Sequence, residues 1–126
     1  MIKQGQYLKE VGISFVLENN ITPEIVFKFL DKLVKRIKMT KTIFNLNELT
    51  PGFDIYCGLK ESFIYFGYWG EHKFVRLLIS SCKIFDEKKI IKFIKKYFKP
   101  KTKLGVTLIT DLSIKEEIED LCQQKF

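Results

Sequence analysis

Apolar residues recur along this chain at two spacings, one typical of strands and one typical of helices. Alternating apolar positions between Val11 and Leu17 predict a first strand within residues 7–17. Later runs rich in β-branched and aromatic residues, separated by turn-forming Gly and Pro, predict further strands. These strands are expected at residues 42–46, 53–59, 62–68, 73–81 and 103–110.

Three segments have the period of an amphipathic helix. The first begins at Thr22-Pro23, a cap followed by proline at the first helical position, and is expected to end near Met39. The second lies between Asp86, as its cap, and Pro100. The third is a short tail helix, because Ser113 to Glu116 has capping-box spacing. Its apolar edge consists of Ile114, Ile118 and Leu121.

Strands interspersed with two amphipathic helices favour an α+β fold. We predict a two-layer sandwich with one mainly antiparallel sheet, two helices on one face, and the order β-α-β-β-β-α-β plus a short C-terminal helix. The length of 126 residues predicts a single domain spanning residues 1–126. Residues 62–69 carry large apolar side chains at both parities, so both sheet faces need cover. A homodimer is expected to cover the open face, with the tail helix as the alternative.

The net charge of +7 comes from one segment. Nine lysines and two acidic residues lie between Lys83 and Lys103, and the rest of the chain is neutral. This lysine-rich helix could attract an anionic partner, but a solvated helix face is the simpler interpretation. Arg36 and Arg76 are the only arginines, which argues against a nucleic-acid interface that needs bidentate contacts.

Composition excludes several other classes of protein and site. No apolar run is long enough to span a membrane, and residues 1–6 do not resemble a secretory signal, so a cytoplasmic protein is expected. Three widely spaced cysteines favour neither a disulfide framework nor a metal site. His72 and Cys82 would lie at opposite ends of one strand, about 30 Å apart, too far for a catalytic pair.

The segment from Glu61 to Cys82 resembles the core of the small prokaryotic S-adenosylmethionine decarboxylases. Their pattern is E-S-H-I-x-x-H-x-W-P-E, followed by a strand that ends in cysteine. This chain has E-S-F-I-Y-F-G-Y-W-G-E from residue 61 to residue 71, and no gap is needed as far as residue 82. The matching residues are Glu61, Ser62, Ile64, Trp69, Glu71 and Cys82. Chain length and the order of elements agree over most of residues 5–110.

The resemblance implies a reaction and residues that carry it. In the family, the serine attacks the carbonyl of the preceding glutamate, the chain is cut, and the serine becomes a pyruvoyl group. That group reacts with the substrate amine and acts as an electron sink for loss of carbon dioxide, in the polyamine pathway that leads to spermidine. Carried over, Ser62 is the pyruvoyl precursor, Glu61 lies across the cut, and Cys82 donates a proton. Trp69 and Glu71 are expected to bind an S-adenosylmethionine-like nucleoside.

The chain departs from the family pattern at the processing machinery. Gly67 stands where the pattern has a histidine, and Asp54 where it has a serine. Leu49 replaces an aromatic residue beside the nucleoside, and Gly70 replaces the proline of the W-P-E turn. Loss of one positioned acid or base typically slows a reaction by ~10²–10⁴-fold.

Three hypotheses follow from the sequence. The first is a diverged family member that is not self-processed and acts as a binding or regulatory relative in polyamine or S-adenosylmethionine metabolism. The second is an active pyruvoyl-dependent decarboxylase in which Asp54 or His72 of a neighbouring chain supplies the missing proton transfers. The third is an anion or nucleic-acid binder that uses the lysine-rich helix.

Overall fold

Six strands and two helices make up the part of the chain that the computed structural model describes, residues 8–60 and 62–110. In chain order they are β1 (Lys9–Val16), α1 (Pro23–Arg36), β2 (Lys41–Leu49), β3 (Gly52–Leu59), β4 (Ser62–Trp69), β5 (Phe74–Ser81), α2 (Glu87–Phe98) and β6 (Gly105–Thr110).

The strands form one sheet in the spatial order β2-β3-β4-β5-β1-β6, and all neighbours are antiparallel. Strands β2 to β5 follow one another as a meander, and β1 then pairs with both β5 and β6. Residues of both helices pack against the same sheet face. The predicted α+β sandwich is therefore confirmed.

The predicted order of elements is wrong by one strand. It has three strands between the helices, whereas the structure has four, β2 to β5. Each of the four coincides with one of the separate segments expected from the sequence. The weakest pattern belongs to β2, an edge strand whose residues are almost all exposed, because alternation is clearest where one face is buried.

The core lies between the helices and one face of the sheet. Four fully buried residues sit directly opposite one another across this face, Ile13 on β1, Leu77 on β5, Phe66 on β4 and Ile55 on β3. Phe29 of α1 lies above them, with its ring centroid 6.1 Å from that of Phe66 and 5.2 Å from that of Phe93 in α2. This aromatic cluster joins both helices to the sheet.

The helix ends follow the expected caps. Thr22 Oγ1 accepts a hydrogen bond from the Ile25 amide at 3.4 Å, and Asp86 Oδ1 accepts one from the Lys88 amide at 2.9 Å. The first helix ends at Arg36 and not near Met39, since Lys38 adopts a left-handed φ of 57° that a helix cannot continue. The predicted tail helix lies outside the described residues.

The second sheet face is not covered by any element among residues 8–60 and 62–110. Its side chains are mostly half-buried or exposed, and Tyr56 and Trp69 are among its large exposed residues. No helix in this part of the chain is long and apolar enough to cross a membrane. The homodimer and the single domain over residues 1–126 stay predictions.

Candidate functional site

The predicted nucleophile Ser62 is the first residue of β4 and lies directly opposite Ser81, the last residue of β5. Its hydroxyl donates a hydrogen bond of 2.6 Å to Ser81 Oγ. Cys82 follows Ser81 immediately, so Ser62 and Cys82 lie at the same end of neighbouring strands. Glu61, on the other side of the predicted cut, lies outside the described residues.

Trp69 and Glu71, the predicted substrate-binding residues, lie at the other end of β4. Seven residue steps of ~3.3 Å put Trp69 about 23 Å from Ser62 along the strand. The Trp69 ring is 46% exposed and packs against Phe74 with ring centroids 5.6 Å apart. The predicted site residues therefore form two groups within one chain, one at each end of β4.

Asp54 and Gly67, the two departures from the processing machinery, are direct partners across β3 and β4. Beside them, Tyr65 Oη donates a hydrogen bond of 3.3 Å to Asp54 Oδ2. Burial raises the pKa of the Tyr65 hydroxyl above its usual value of 10.0, and the neighbouring Asp54 carboxylate raises this pKa further. The phenol therefore stays protonated and keeps donating to Asp54.

The space above Gly67 is filled by the same tyrosine. A Cβ at position 67 would lie 2.8 Å from Tyr65 Oη, 2.9 Å from Tyr65 Cε2 and 3.0 Å from Trp69 Cη2. These distances are shorter than ordinary van der Waals contact. A side chain at this position, histidine included, therefore fits only if Tyr65 moves.

A cavity of about 220 Å³ is lined by Asp54 and Gly67, the two departures from the processing machinery, and by the predicted substrate-binding residues Trp69 and Glu71. It lies between the turn after β2 and the turn after β4. Its lining includes Leu49, Asp54, Tyr65, Gly67, Trp69 and Glu71. Positions that are up to 22 residues apart in the sequence thus meet at one end of the sheet.

Glycine at position 70 is required by close contact between these two turns. A Cβ on Gly70 would lie 1.7 Å from the carbonyl oxygen of Pro51, a distance that no side chain can adopt. The proline of the family pattern could not occupy this turn as it stands. This turn, which lines the cavity, therefore admits only glycine at position 70.

The Ser62 end of the sheet has a polar row that the sequence pattern missed. Ser81, only 1% exposed, donates to the Lys83 carbonyl at 3.1 Å and accepts from the Lys83 amide at 2.8 Å. Lys9, in the same row on β1, pairs with Glu87 and donates to the Phe85 carbonyl at 3.0 Å. The only sequence signal for this row is a lysine at the start of one alternating apolar strand and a serine at the end of another.

Neither a metal cluster nor the rejected catalytic pair is formed by the described residues. No group of three His, Cys, Asp or Glu side chains in this part of the chain could hold a metal ion. His72 precedes β5 and Cys82 follows it, as the sequence spacing predicts.

Comparison with known proteins gives two findings. The family model described as S-adenosylmethionine decarboxylase matches residues 18–108. Among solved structures, the crystal structure of the adenosylmethionine decarboxylase from Aquifex aeolicus VF5 superposes with a TM-score of 0.66 at 19% identity. This match covers 82% of this chain and 88% of that one. No curated protein sequence matches.

Proposed function

The chain belongs to the S-adenosylmethionine decarboxylase family, and from that membership we propose that it is a diverged member that is not self-processed. Its role is that of a binding or regulatory relative in S-adenosylmethionine or polyamine metabolism. The observation that carries this proposal is the closed contact between Tyr65, Asp54 and Gly67. Where the family pattern has a serine and a histidine, this chain has a carboxylate held by a phenol.

The surroundings of Ser62 support the same conclusion. Ser81 already donates its one hydroxyl proton to Lys83, so Ser62 is the donor in the bond that joins the two serines. A neutral hydroxyl is a weak base and does not activate a nucleophile. In the described residues, no carboxylate or imidazole hydrogen-bonds to Ser62.

The cavity has the chemistry for a cationic nucleoside of the S-adenosylmethionine type. Trp69 and Tyr65 supply aromatic surfaces, and Asp54 and Glu71 supply carboxylates. Aromatic faces and carboxylates both attract a cation such as a sulfonium centre. A volume of about 220 Å³ is below the ~300 Å³ at which typical ligand pockets begin, so one chain encloses only part of such a ligand.

A homodimer would complete this site. The cavity opens on the sheet face that no described element covers, where Tyr56 and Phe63 also present stacked rings with centroids 5.7 Å apart. If two copies pack these faces together about a two-fold axis, the open face of each copy covers the cavity of the other. The Ser62 hydroxyl lies with Ser81 on the opposite, helix-covered face, so this packing completes the ligand cavity without bringing the hydroxyl into it.

An active decarboxylase is the alternative function, because β4 and β5 bring Ser62 and Cys82 to the same end of the sheet. A pyruvoyl group derived from Ser62 would supply the electron sink for loss of carbon dioxide. Cys82 would then return a proton to the product carbon. Asp54 or His72 of the neighbouring chain would take over the proton transfers of processing.

Intact-mass spectrometry of the freshly purified protein separates the two functions. We expect one species of about 14.9 kDa, identical in behaviour to a Ser62→Ala control that cannot form a pyruvoyl group. Fragments corresponding to residues 1–61 and 62–126 in the unmodified protein, and none in the control, would contradict the proposal.

Ligand binding is measured independently of processing. Trp69 is the only tryptophan and lines the cavity, so its fluorescence reports directly on occupancy. We expect S-adenosylmethionine to change this fluorescence saturably, and Asp54→Asn to weaken binding about tenfold by removing one carboxylate. Glu48→Gln, which removes an exposed carboxylate outside the lining, is the control. No saturable change at millimolar ligand would exclude a nucleoside site here.

A further inference from the structure

A basic groove lies between α2 and the start of β6, on the opposite edge of the sheet from the Asp54 cavity. Its volume is about 810 Å³. The apolar side chains that line it are Ile91, Leu104 and Val106, each half-buried. Four exposed lysines surround them, Lys95, Lys99, Lys101 and Lys103. The groove therefore combines an apolar floor with a strongly positive rim.

The rim lysines have no acidic partner among residues 8–60 and 62–110. The two ion pairs in this part of the chain are Lys9 with Glu87 and Lys41 with Asp31. Like charges held this close repel one another, so an acidic group in the groove would be attracted by all four lysines. A half-buried apolar floor also gains by being covered.

The segment of this chain with matching chemistry begins directly after β6. Between Asp111 and Leu121 there are five acidic residues and one lysine. The apolar residues Ile114, Ile118 and Leu121 repeat at helical spacing and form a single stripe. At 100° per residue, Glu117 lies about 65° from the centre of that stripe, whereas Glu116 lies almost opposite it.

We propose that residues 113–121 lie as a helix in this basic groove, with the apolar stripe on Ile91, Leu104 and Val106 and with Glu117, at the edge of that stripe, facing the lysine rim. The positive charge of α2 is on this view a docking surface for the chain's own acidic tail. This assigns a partner to the lysines that the family resemblance does not explain.

The connection is long enough for this arrangement. Strand β6 ends at Thr110, and Val106 lies four residues back, about 13 Å along the strand. A turn at residues 111–113 followed by a helix that runs back along β6 covers this distance. Seven residue steps from Ile114 to Leu121 extend about 10 Å at 1.5 Å per residue.

The open sheet face is the competing place for the tail, but its charges favour the groove. The charged residues on the strands of that face are Glu10, Asp54 and Arg76, a mixed set with two acids. An acidic segment gains little from such a surface and more from four lysines. Both the groove and the open sheet face offer apolar surface to the tail, and charge complementarity is what favours the groove.

The test uses a spin label on Cys122 in the full-length Cys82→Ser protein, with backbone NMR signals as the readout. Burial raises the pKa of the remaining Cys57 thiol to about 11, so this thiol resists labelling. We expect the label to remove the amide signals of Leu104 and Val106 and to leave that of Tyr56, four strands away from β6, intact. A mixed sample, in which one copy carries the spin label and another copy is isotope-enriched, reports only contacts between two copies. This sample should show no loss of these signals.

Matched charge reversals distinguish docking from general charge attraction. Glu117→Lys or Lys95→Glu should restore the lost signals, because each places like charges together at the edge of the groove. Glu116→Lys and Lys96→Glu make the same change in net charge away from the contact and should leave the signals lost. The proposal would be overturned if Glu116→Lys had the same effect as Glu117→Lys and Lys96→Glu the same effect as Lys95→Glu. It would also be overturned if signals were lost on the open sheet face, or if they were lost only in the mixed sample.

Discussion

Replacing Gly67 by alanine tests whether Tyr65, and not the backbone, keeps this position free of a side chain. The new methyl group would lie 2.8 Å from Tyr65 Oη, so the ring must move and its 3.3 Å hydrogen bond to Asp54 is lost. Insertion into filled space typically costs ~1–3 kcal/mol. Alanine in a strand recovers about 0.5–1 kcal/mol relative to glycine. We therefore expect Gly67→Ala to lower the free energy of unfolding by about 1 kcal/mol.

The effect of Gly67→Ala on the free energy of unfolding should reverse in sign when Tyr65 is replaced by alanine. In a Tyr65→Ala background only Trp69 Cη2 stays close to the new Cβ, at 3.0 Å, and this exposed ring can shift, so Gly67→Ala should raise the free energy of unfolding by about 0.5–1 kcal/mol. Urea denaturation of the four proteins measures this coupling, which should be about 2 kcal/mol. Gly58→Ala is the control, because its new Cβ would contact Ile43 and Thr42 and not Tyr65. An equal loss in both backgrounds would show that Tyr65 is not the obstacle.

Three further predictions concern the core and the buried polar groups. Phe29→Ala should destabilise the protein by about 3–5 kcal/mol in urea denaturation, because this fully buried ring contacts both helix α2 and the sheet, and an equal loss for the exposed Ile25→Ala would contradict this reason. Lys9→Met should cost about 2–3 kcal/mol by leaving Glu87 unpaired, and adding Glu87→Gln should recover most of this loss. Since burial raises the pKa of Cys57 from 9.0 to about 11, its contribution to stability is complete below pH 9 and is lost as the pH rises through 11. The stability difference between the unmodified protein and Cys57→Ser should therefore shrink over that range, and a constant difference would refute the assignment.

The strands could be predicted from the sequence because the buried face is regular. Val11, Ile13 and Phe15 alternate without interruption, and each is buried against the helices. At the edge of the sheet the signal weakens, since the side chains of β2 gain little burial from either face. The order of the strands within the sheet could not be predicted for another reason. The residues of β1 do not indicate that it pairs with β5 and β6, which are separated from it by more than 50 residues.

The candidate site was only half predictable, because its contacts are long-range. The motif identified Ser62, Trp69 and Cys82, and the strand predicted over residues 62–68 already separates the first two, but neither shows which residues of other strands they meet. Ser81 and Tyr65 belong to no motif, and their importance follows from cross-strand partners 19 and 11 residues away. Such partners are fixed by register, which becomes known only when the sheet is assembled.

Register also explains why the departures at positions 54 and 67 belong together. The two residues face each other across β3 and β4, so any side chain at 67 occupies space beside the group at 54. With glycine at 67, Tyr65 fills that space and its phenol satisfies the Asp54 carboxylate. Gly67→His combined with Asp54→Ser would still place an imidazole against the tyrosine ring. Restoring the geometry of the family pattern therefore requires Tyr65→Ala as a third change, and self-cleavage in the triple variant but not in the double variant would identify Tyr65 as the residue that keeps this chain intact.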